Sequence, residues 1–301
     1  MEVINLCPVC AFGKFQTYLV CKDYTVSGEF FSIMSCLNCS FKFTNPRPDE
    51  DEIGKYYESS DYISHSNSSK GIINKTYQLV RKYAIEGKVK MLENLKPKKK
   101  SILDIGSGTG EFLSALKKSG WITKGLEPNA KAREMAVKKY SLEINDTNEI
   151  KAESDRSWDV ITMWHVLEHV HRLDEMIGQL KRILKDDGNL VIAVPNVTSF
   201  DANLYKKEWA AFDVPRHLYH FSREHIEMLF KKVDMEVVKV APMYFDSYYV
   251  SMLSEKYKKG KNNAASLAKA FLNGYRSNKK GKKNQSNYSS LIYIIRNSVS
   301  R

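Results

Sequence analysis

The chain predicts an α/β protein: a doubly wound, mostly parallel seven-stranded sheet with a small four-cysteine unit at its front. Three observations predict it. An apolar strand at 102–105 runs straight into a turn holding Gly106, Gly108 and Gly110, and a helical run at 111–118 follows at once. Further on, short apolar runs alternate with amphipathic stretches, the rhythm of parallel strands with helices on both faces. At the front, two Cys-x-x-Cys pairs stand 25 residues apart.

With 301 residues the chain can hold one large domain and a small one. Its 43% hydrophobic and 27% charged residues describe an ordinary soluble composition. No apolar run approaches the roughly 18 residues needed to span a bilayer. The first ten residues lack the basic head and apolar core of a secretory signal, so a cytoplasmic protein is expected. The net charge of +12 is uneven, because residues 255–301 hold twelve Lys/Arg and one acid. Such a stretch suits nucleic acid, anionic lipid or an acidic substrate, or is simply a solvated face.

Cys7, Cys10, Cys36 and Cys39 form the two knuckles. Tetrahedral zinc takes four thiolates from two such turns, and four thiolates close its shell, so the metal is structural. Disulfides compete as a reading, but they would leave Cys21 over and find no secretory signal in support. Short strands at 18–20 and 30–33 make residues 1–45 a zinc ribbon. Residues 46–99 then read as a link with N-terminal helices. Asp49 and Glu50 stand near the start of a short acidic helix, where acids suit the dipole. Tyr57, Tyr62 and His65 form either a lid or a surface aromatic cluster, and a break follows at 66–70. Apolar residues at 73, 77, 80, 84, 92 and 95 predict a helix over 72–95, interrupted near Gly87.

Residues 100–301 form the main domain. The glycines let the backbone turn sharply and bring main-chain N–H groups against a ligand at a helix start. Asp104 stands near the end of the first strand. Glu127 closes the second, at 122–127, close to the place where dinucleotide folds hold a ribose diol. The loop lacks a Gly-Lys-Ser/Thr ending, which argues against a Walker-type phosphate site. Pro128 and Asn129 open a helix through Tyr140. Strands follow at 142–144, 158–163, 189–194 and 235–240, with helices at 172–185 and 223–232. A seventh strand at 290–295 would make the basic segment, about 255–287, an insertion before it.

With these residues in view the chain resembles, over roughly 70–240, the class I, S-adenosylmethionine-dependent methyltransferases. The glycine spacing fits the NAD fingerprint less well. The resemblance implies that Asp104 faces the methionine amino end of the cofactor and that Glu127 binds its ribose hydroxyls. Gly106, Ser107, Gly108, Gly110, Pro128, Met163 and Trp164 would line the same pocket. It also implies that the seventh strand is antiparallel.

Two constellations follow strand ends, where ligands bind in open α/β sheets. Helical spacing would put His165, Glu168 and His169 on one face, a grouping that favours a site over packed core histidines. The run Leu167-Glu168-His169-Val170 is similar to the post-strand motif of ubiquinone-pathway and related small-molecule O-methyltransferases. It is also similar to the Glu-x-x-Glu-His metal motif of small-RNA 2′-O-methyltransferases. There His165 replaces the first acid, which suits a softer divalent metal better than magnesium. The second constellation is Asp213-Val-Pro-Arg216-His217-Leu-Tyr-His220. His169, His217 or His220 is expected to take a proton from the acceptor, with Glu168 orienting it and Arg216 meeting an anionic part.

The expected activity is transfer of a methyl group from S-adenosylmethionine to a hydroxyl or carbon of a small metabolite or sugar. Two alternatives stand beside it: RNA methylation using the zinc ribbon and the basic segment, and a non-catalytic module that keeps the cofactor fold. Nucleic acid is not the favoured partner. Acceptor identity and oligomeric state are left open by these residues.

Overall fold

A computed structural model describes residues 1–58, 72–261, 263–283 and 287–298, without the side chains of 72–79. Tyr62, His65 and the break at 66–70 lie outside the described residues. At the front, β1 (Phe15–Lys22), β2 (Phe30–Cys36) and β3 (Lys42–Thr44) form an antiparallel meander. A five-residue 3-10 turn at Ile53–Tyr57 stands where the short acidic helix is predicted. The long helix α1 (Ile72–Glu93) then leads into the main sheet. It runs unbroken through Gly87, correcting the predicted interruption; one helical glycine costs only about 1 kcal/mol.

The main sheet takes β4 (Ser101–Ile105), β5 (Ile122–Leu126), β6 (Ile144–Asn145), β7 (Trp158–Trp164), β8 (Leu184–Pro195), β10 (Met235–Pro242) and β11 (Ser290–Asn297). Their order is β10-β11-β8-β7-β4-β5-β6. Six strands run in one direction, and β11 runs antiparallel between β8 and β10. Helices α2 (Glu111–Lys118), α3 (Ala130–Tyr140), α4 (Leu173–Ile183), α5 (Phe200–Tyr205) and α6 (Arg223–Lys231) punctuate the strands. The α4 boundary corrects the predicted helix at 172–185. Leu184 already pairs with Trp158, so Asp186-Asp187-Gly188 lies within β8.

The described residues of the basic segment are folded. Helices α7 (Asp246–Lys259) and α8 (Ala264–Lys283) follow β10 in the chain, precede β11 and pack together.

The front unit and the main sheet are joined in several ways. A two-stranded pairing sets β3 against β9 (Tyr219–His220), so the four-stranded sheet takes one strand from the loop beyond β8. A single apolar cluster also runs from Cys7, Val9, Cys36, Phe41 and Phe43 to Leu103, Met163, Phe221 and Tyr293. Burying this many large side chains in one cluster couples the two layers, at roughly 1.5–3 kcal/mol for each fully buried apolar side chain. His225 on α6 donates from Nε2 to the Cys39 carbonyl at 3.0 Å, fastening the second knuckle to the main domain.

Candidate active site

The candidate cofactor cradle is built around one contiguous stretch. Asp104 and Ile105 end β4 beside Thr162 and Met163 of β7. Gly106, Gly108 and Gly110 all have positive φ, the left-handed region that favours glycine. At Gly110 an added Cβ would lie 2.7 Å from Leu142 and 2.9 Å from Ala136, while at Gly108 it would meet open space. The loop is therefore pinned by its ends and bare at its middle. Glu127 is held from both sides, with Oε2 accepting from the Gly108 N–H at 2.8 Å and Oε1 from the Asn129 N–H at 3.0 Å. The Pro128 carbonyl accepts from Arg133, and the Asn129 side chain caps α3.

The Asp104 carboxyl is buried and accepts a 2.5 Å hydrogen bond from the Thr162 hydroxyl. Burial pushes it up to about 7, against the opposing pull of that hydrogen bond and of nearby Lys88. An ammonium group set against it would restore its charge. Trp164 Nε1 and Ser107 Oγ are buried and meet no hydrogen-bond partner among the described residues. Such orphaned groups beside a bare glycine loop fit a polar ligand lying along the carboxyl ends of the strands.

The second half is assembled from distant segments. The expected helical face is corrected: only Leu167–His169 is helical, as a short 3-10 turn, and His165 stands before it at φ 56°. That backbone turns His165 away from His169. Its Nε2 lies 2.9 Å from Asp246 Oδ2 and its Nδ1 3.2 Å from Glu168 Oε1. Burial opposes its charge, but the two carboxylates prevail and raise it to about 10. In turn His165 outweighs burial at Glu168 and holds that carboxyl below its usual range. Glu168 is fully buried, and its Oε2 meets no hydrogen-bond partner among the described residues.

The structure brings His169 and His217 to that carboxylate as well. Their rings meet edge to face at 4.6 Å, and ligand-capable atoms of Glu168, His169 and His217 lie within 4.8 Å of one another. His169 Nδ1 lies 3.0 Å from the Arg216 carbonyl, and His217 Nδ1 lies 2.8 Å from the Ala211 carbonyl. A carbonyl only accepts, so each Nδ1 carries a proton. The Tyr57 hydroxyl stands 2.9 Å from His169 Nδ1. Burial and the neighbouring His217 lower His169 to about 4, so it is neutral at physiological pH. The neutral His169 beside a buried carboxylate can accept a proton, and the carboxylate can stabilise the cation that results.

Arg216 and His220 do not serve as expected. Arg216 is 1% exposed and forms ion pairs with Asp23 at 2.9 Å and Asp213 at 2.7 Å, while donating to the Tyr56 carbonyl. Its donors are committed within the chain, so it pins the loop that carries His217 to the front unit. His220 is buried in β9 against Phe212 and Thr44, far below its ordinary pKa through burial and His217. The sequence reading missed Asp246 and Lys88. Lys88 Nζ lies over the Trp164 ring at 4.0 Å, and burial lowers it to about 8 despite Asp104 and Asp246. No local signal marks either residue, because both arrive from helices remote from the loop.

The four cysteine sulfurs converge as well. Sγ of Cys7 and Cys39 are 3.6 Å apart, as are those of Cys10 and Cys36. A tetrahedron with metal–sulfur bonds near 2.3 Å has edges of about 3.8 Å, so the donor set fits zinc.

Sheet order, cradle and strand-end groups together define a class I, S-adenosylmethionine-dependent methyltransferase. The sequence profile of a methyltransferase domain family matches residues 77–240, and the chain belongs to that family. Ubiquinone biosynthesis O-methyltransferase of Rickettsia akari is 24% identical over 210 residues, covering 66% of this chain and 83% of the relative. The Coxiella burnetii (strain Dugway 5J108-111) protein of the same description is 32% identical over 114 residues, covering 36% and 48%. Among solved structures, geranyl diphosphate C-methyltransferase from Streptomyces coelicolor A3(2), with Mg2+, geranyl diphosphate and S-adenosyl-L-homocysteine, shares the fold. The TM-score is 0.52 at 12% identity, covering 79% of this chain and 86% of that one.

Proposed function

We infer that this methyltransferase acts on a hydroxyl group of a small molecule, with His169 and His217 as the proton-accepting pair. The carrying observation is the neutral His169 beside His217 and the buried Glu168 carboxylate, at the strand end next to the cradle. The O-methylating relatives support the same reading. When bound, S-adenosylmethionine supplies a methyl group on a sulfonium centre. Asp104 would hold its amino end and Glu127 its ribose, with Met163 and Trp164 as walls. His169 Nε2 or His217 Nε2 would take the hydroxyl proton, and Glu168 would stabilise the resulting imidazolium. Tyr57 stands close enough to orient His169, and the Arg216–Asp213 pair holds the loop that carries His217.

Around this domain, assigned to residues 100–301, we assign a structural zinc ribbon to 1–45 and a link to 46–99. Zinc would be held by Cys7, Cys10, Cys36 and Cys39. The test pairs His169→Gln and His217→Gln with a panel of phenolic and sugar hydroxyl acceptors. S-adenosylhomocysteine binding is measured separately by calorimetry. Lost turnover with retained binding supports the reading; unchanged turnover in both variants refutes it.

A further inference from the structure

Helix α8 is built inside out. The residues it buries are small or polar: Ser266, Ala270, Asn273, Gly274, Ser277 and Gly281. Its large apolar residues face outward, with Leu267 39%, Phe271 67%, Leu272 44% and Tyr275 51% exposed. Ordinary surface helices do the reverse. The orientation is fixed, because a Cβ at Gly274 would lie 2.7 Å from Tyr248 and one at Gly281 2.8 Å from Tyr288. Asp201, fully buried, also accepts from the Ser277 hydroxyl at 2.7 Å. Rotation to hide Phe271 would break these contacts.

The second half of the same helix is cationic. Residues 276–283 contain Arg276, Lys279, Lys280, Lys282 and Lys283 and no acid. None of the five forms an ion pair among the described residues. Four of them line an open groove of about 430 Å³ around Phe200, with Lys280 Nζ 4.1 Å over that ring. Exposed aliphatic and aromatic side chains followed by unpaired lysines match the interface of an anionic bilayer. The apolar groups enter the acyl boundary and the cations meet phosphate. A second copy fits poorly, since five cations without an acid would repel their like across a symmetric contact. The exposed leucines offer nothing to a nucleic acid backbone.

We propose that the outward face of α8, from Leu267 to Lys283 and including the Phe200 groove, docks this protein on an anionic lipid bilayer. The surface borders the acceptor side, because α8 packs on α7 and α7 begins at Asp246, the partner of His165. The proposal is independent of the acceptor's identity and of the base assignment.

The test is co-sedimentation of the full chain with phosphatidylcholine vesicles, with and without phosphatidylglycerol. Binding is expected only to the anionic vesicles, weakening as salt rises. One lysine near such a surface accounts for about a fivefold change in affinity, so the double variant Lys279→Gln/Lys283→Gln should bind roughly 25-fold more weakly. Phe271→Ser/Tyr275→Ser should also lose binding, at low salt as well as high, with an unchanged circular dichroism melt showing intact folding. Three results would overturn the proposal: no binding to anionic vesicles, binding indifferent to both variants, or self-association in ultracentrifugation that Phe271→Ser abolishes. RNA binding that survives the aromatic variant while vesicle binding is absent would transfer the face to nucleic acid.

Discussion

The two halves of the proposed active site are made in opposite ways. The cofactor half is β4, a glycine turn and the end of β5, so Asp104 to Glu127 spans 24 consecutive residues. Its ligand-facing groups are largely backbone, and their positions follow from strand, turn and helix in immediate succession. The proposed acceptor half would draw on Tyr57, Glu168, His169, His217 and Asp246, which no single element carries. Each is placed by something elsewhere: His217 by the Ala211 carbonyl, Glu168 by His165, His165 by Asp246. A local site tolerates remote change, whereas an assembled one inherits the stability of everything that assembles it.

The largest effect should come from stripping the thiolates. Structural zinc contributes on the order of 10 kcal/mol to the units that it folds. β3 pairs with β9, and the Thr44 hydroxyl donates to the His217 carbonyl at 2.8 Å. Cys36→Ser should release one zinc per chain by elemental analysis and abolish turnover, while S-adenosylhomocysteine still binds. Full turnover in a zinc-free protein would show the two halves to be independent after all.

Next in size is Glu168→Gln. Losing the charge that supports the histidine pair should lower kcat by roughly 10²–10³, with cofactor affinity unchanged. A parallel loss of affinity would mean the halves share this residue. Glu127→Ala, on the other side, should weaken cofactor binding by about 1.5–3 kcal/mol, the range for a charged hydrogen bond. Its kcat at saturating cofactor should hold.

The smallest effect is on stability against pH. His169 is lowered to about 4, so the unfolded chain binds its proton first and stability falls as pH drops from about 6.5 toward 4. His165 is raised to about 10, so its contribution is complete below about 6.5 and is lost as pH rises through 10. Thermal melts across this range should decline at both ends. His165→Gln should flatten the alkaline decline and leave the acid one. Equal declines in the variant would contradict the Asp246–His165–Glu168 arrangement.

The same contrast explains what could be read from the residues. The strand–glycine–helix turn, the seven strands and the four cysteines were legible because each is a local pattern with its own spacing. The shared helical face of His165, Glu168 and His169 was a wrong period: the backbone leaves β7 through a left-handed residue that spacing cannot reveal. Arg216 drew notice by its charge, yet its partner Asp23 lies 193 residues away, and only the folded chain makes it structural. Lys88 and Asp246 carried no signal, since helices far along the chain deliver them. The inverted character of α8 was hidden too, because its composition reads as amphipathic whichever face is inward.

The stitching of β3 to β9 restricts how such a protein can evolve or be rebuilt. A front unit grafted from a relative would arrive without its fourth strand, since that strand belongs to the catalytic portion. Recombination at the apparent boundary near residue 45 would thus leave an unpaired sheet edge on one parent and a loosened acceptor loop on the other. Exchange of the two parts must carry both cut ends together, so this lineage should diversify its acceptors by substitution within the loop before it does so by shuffling.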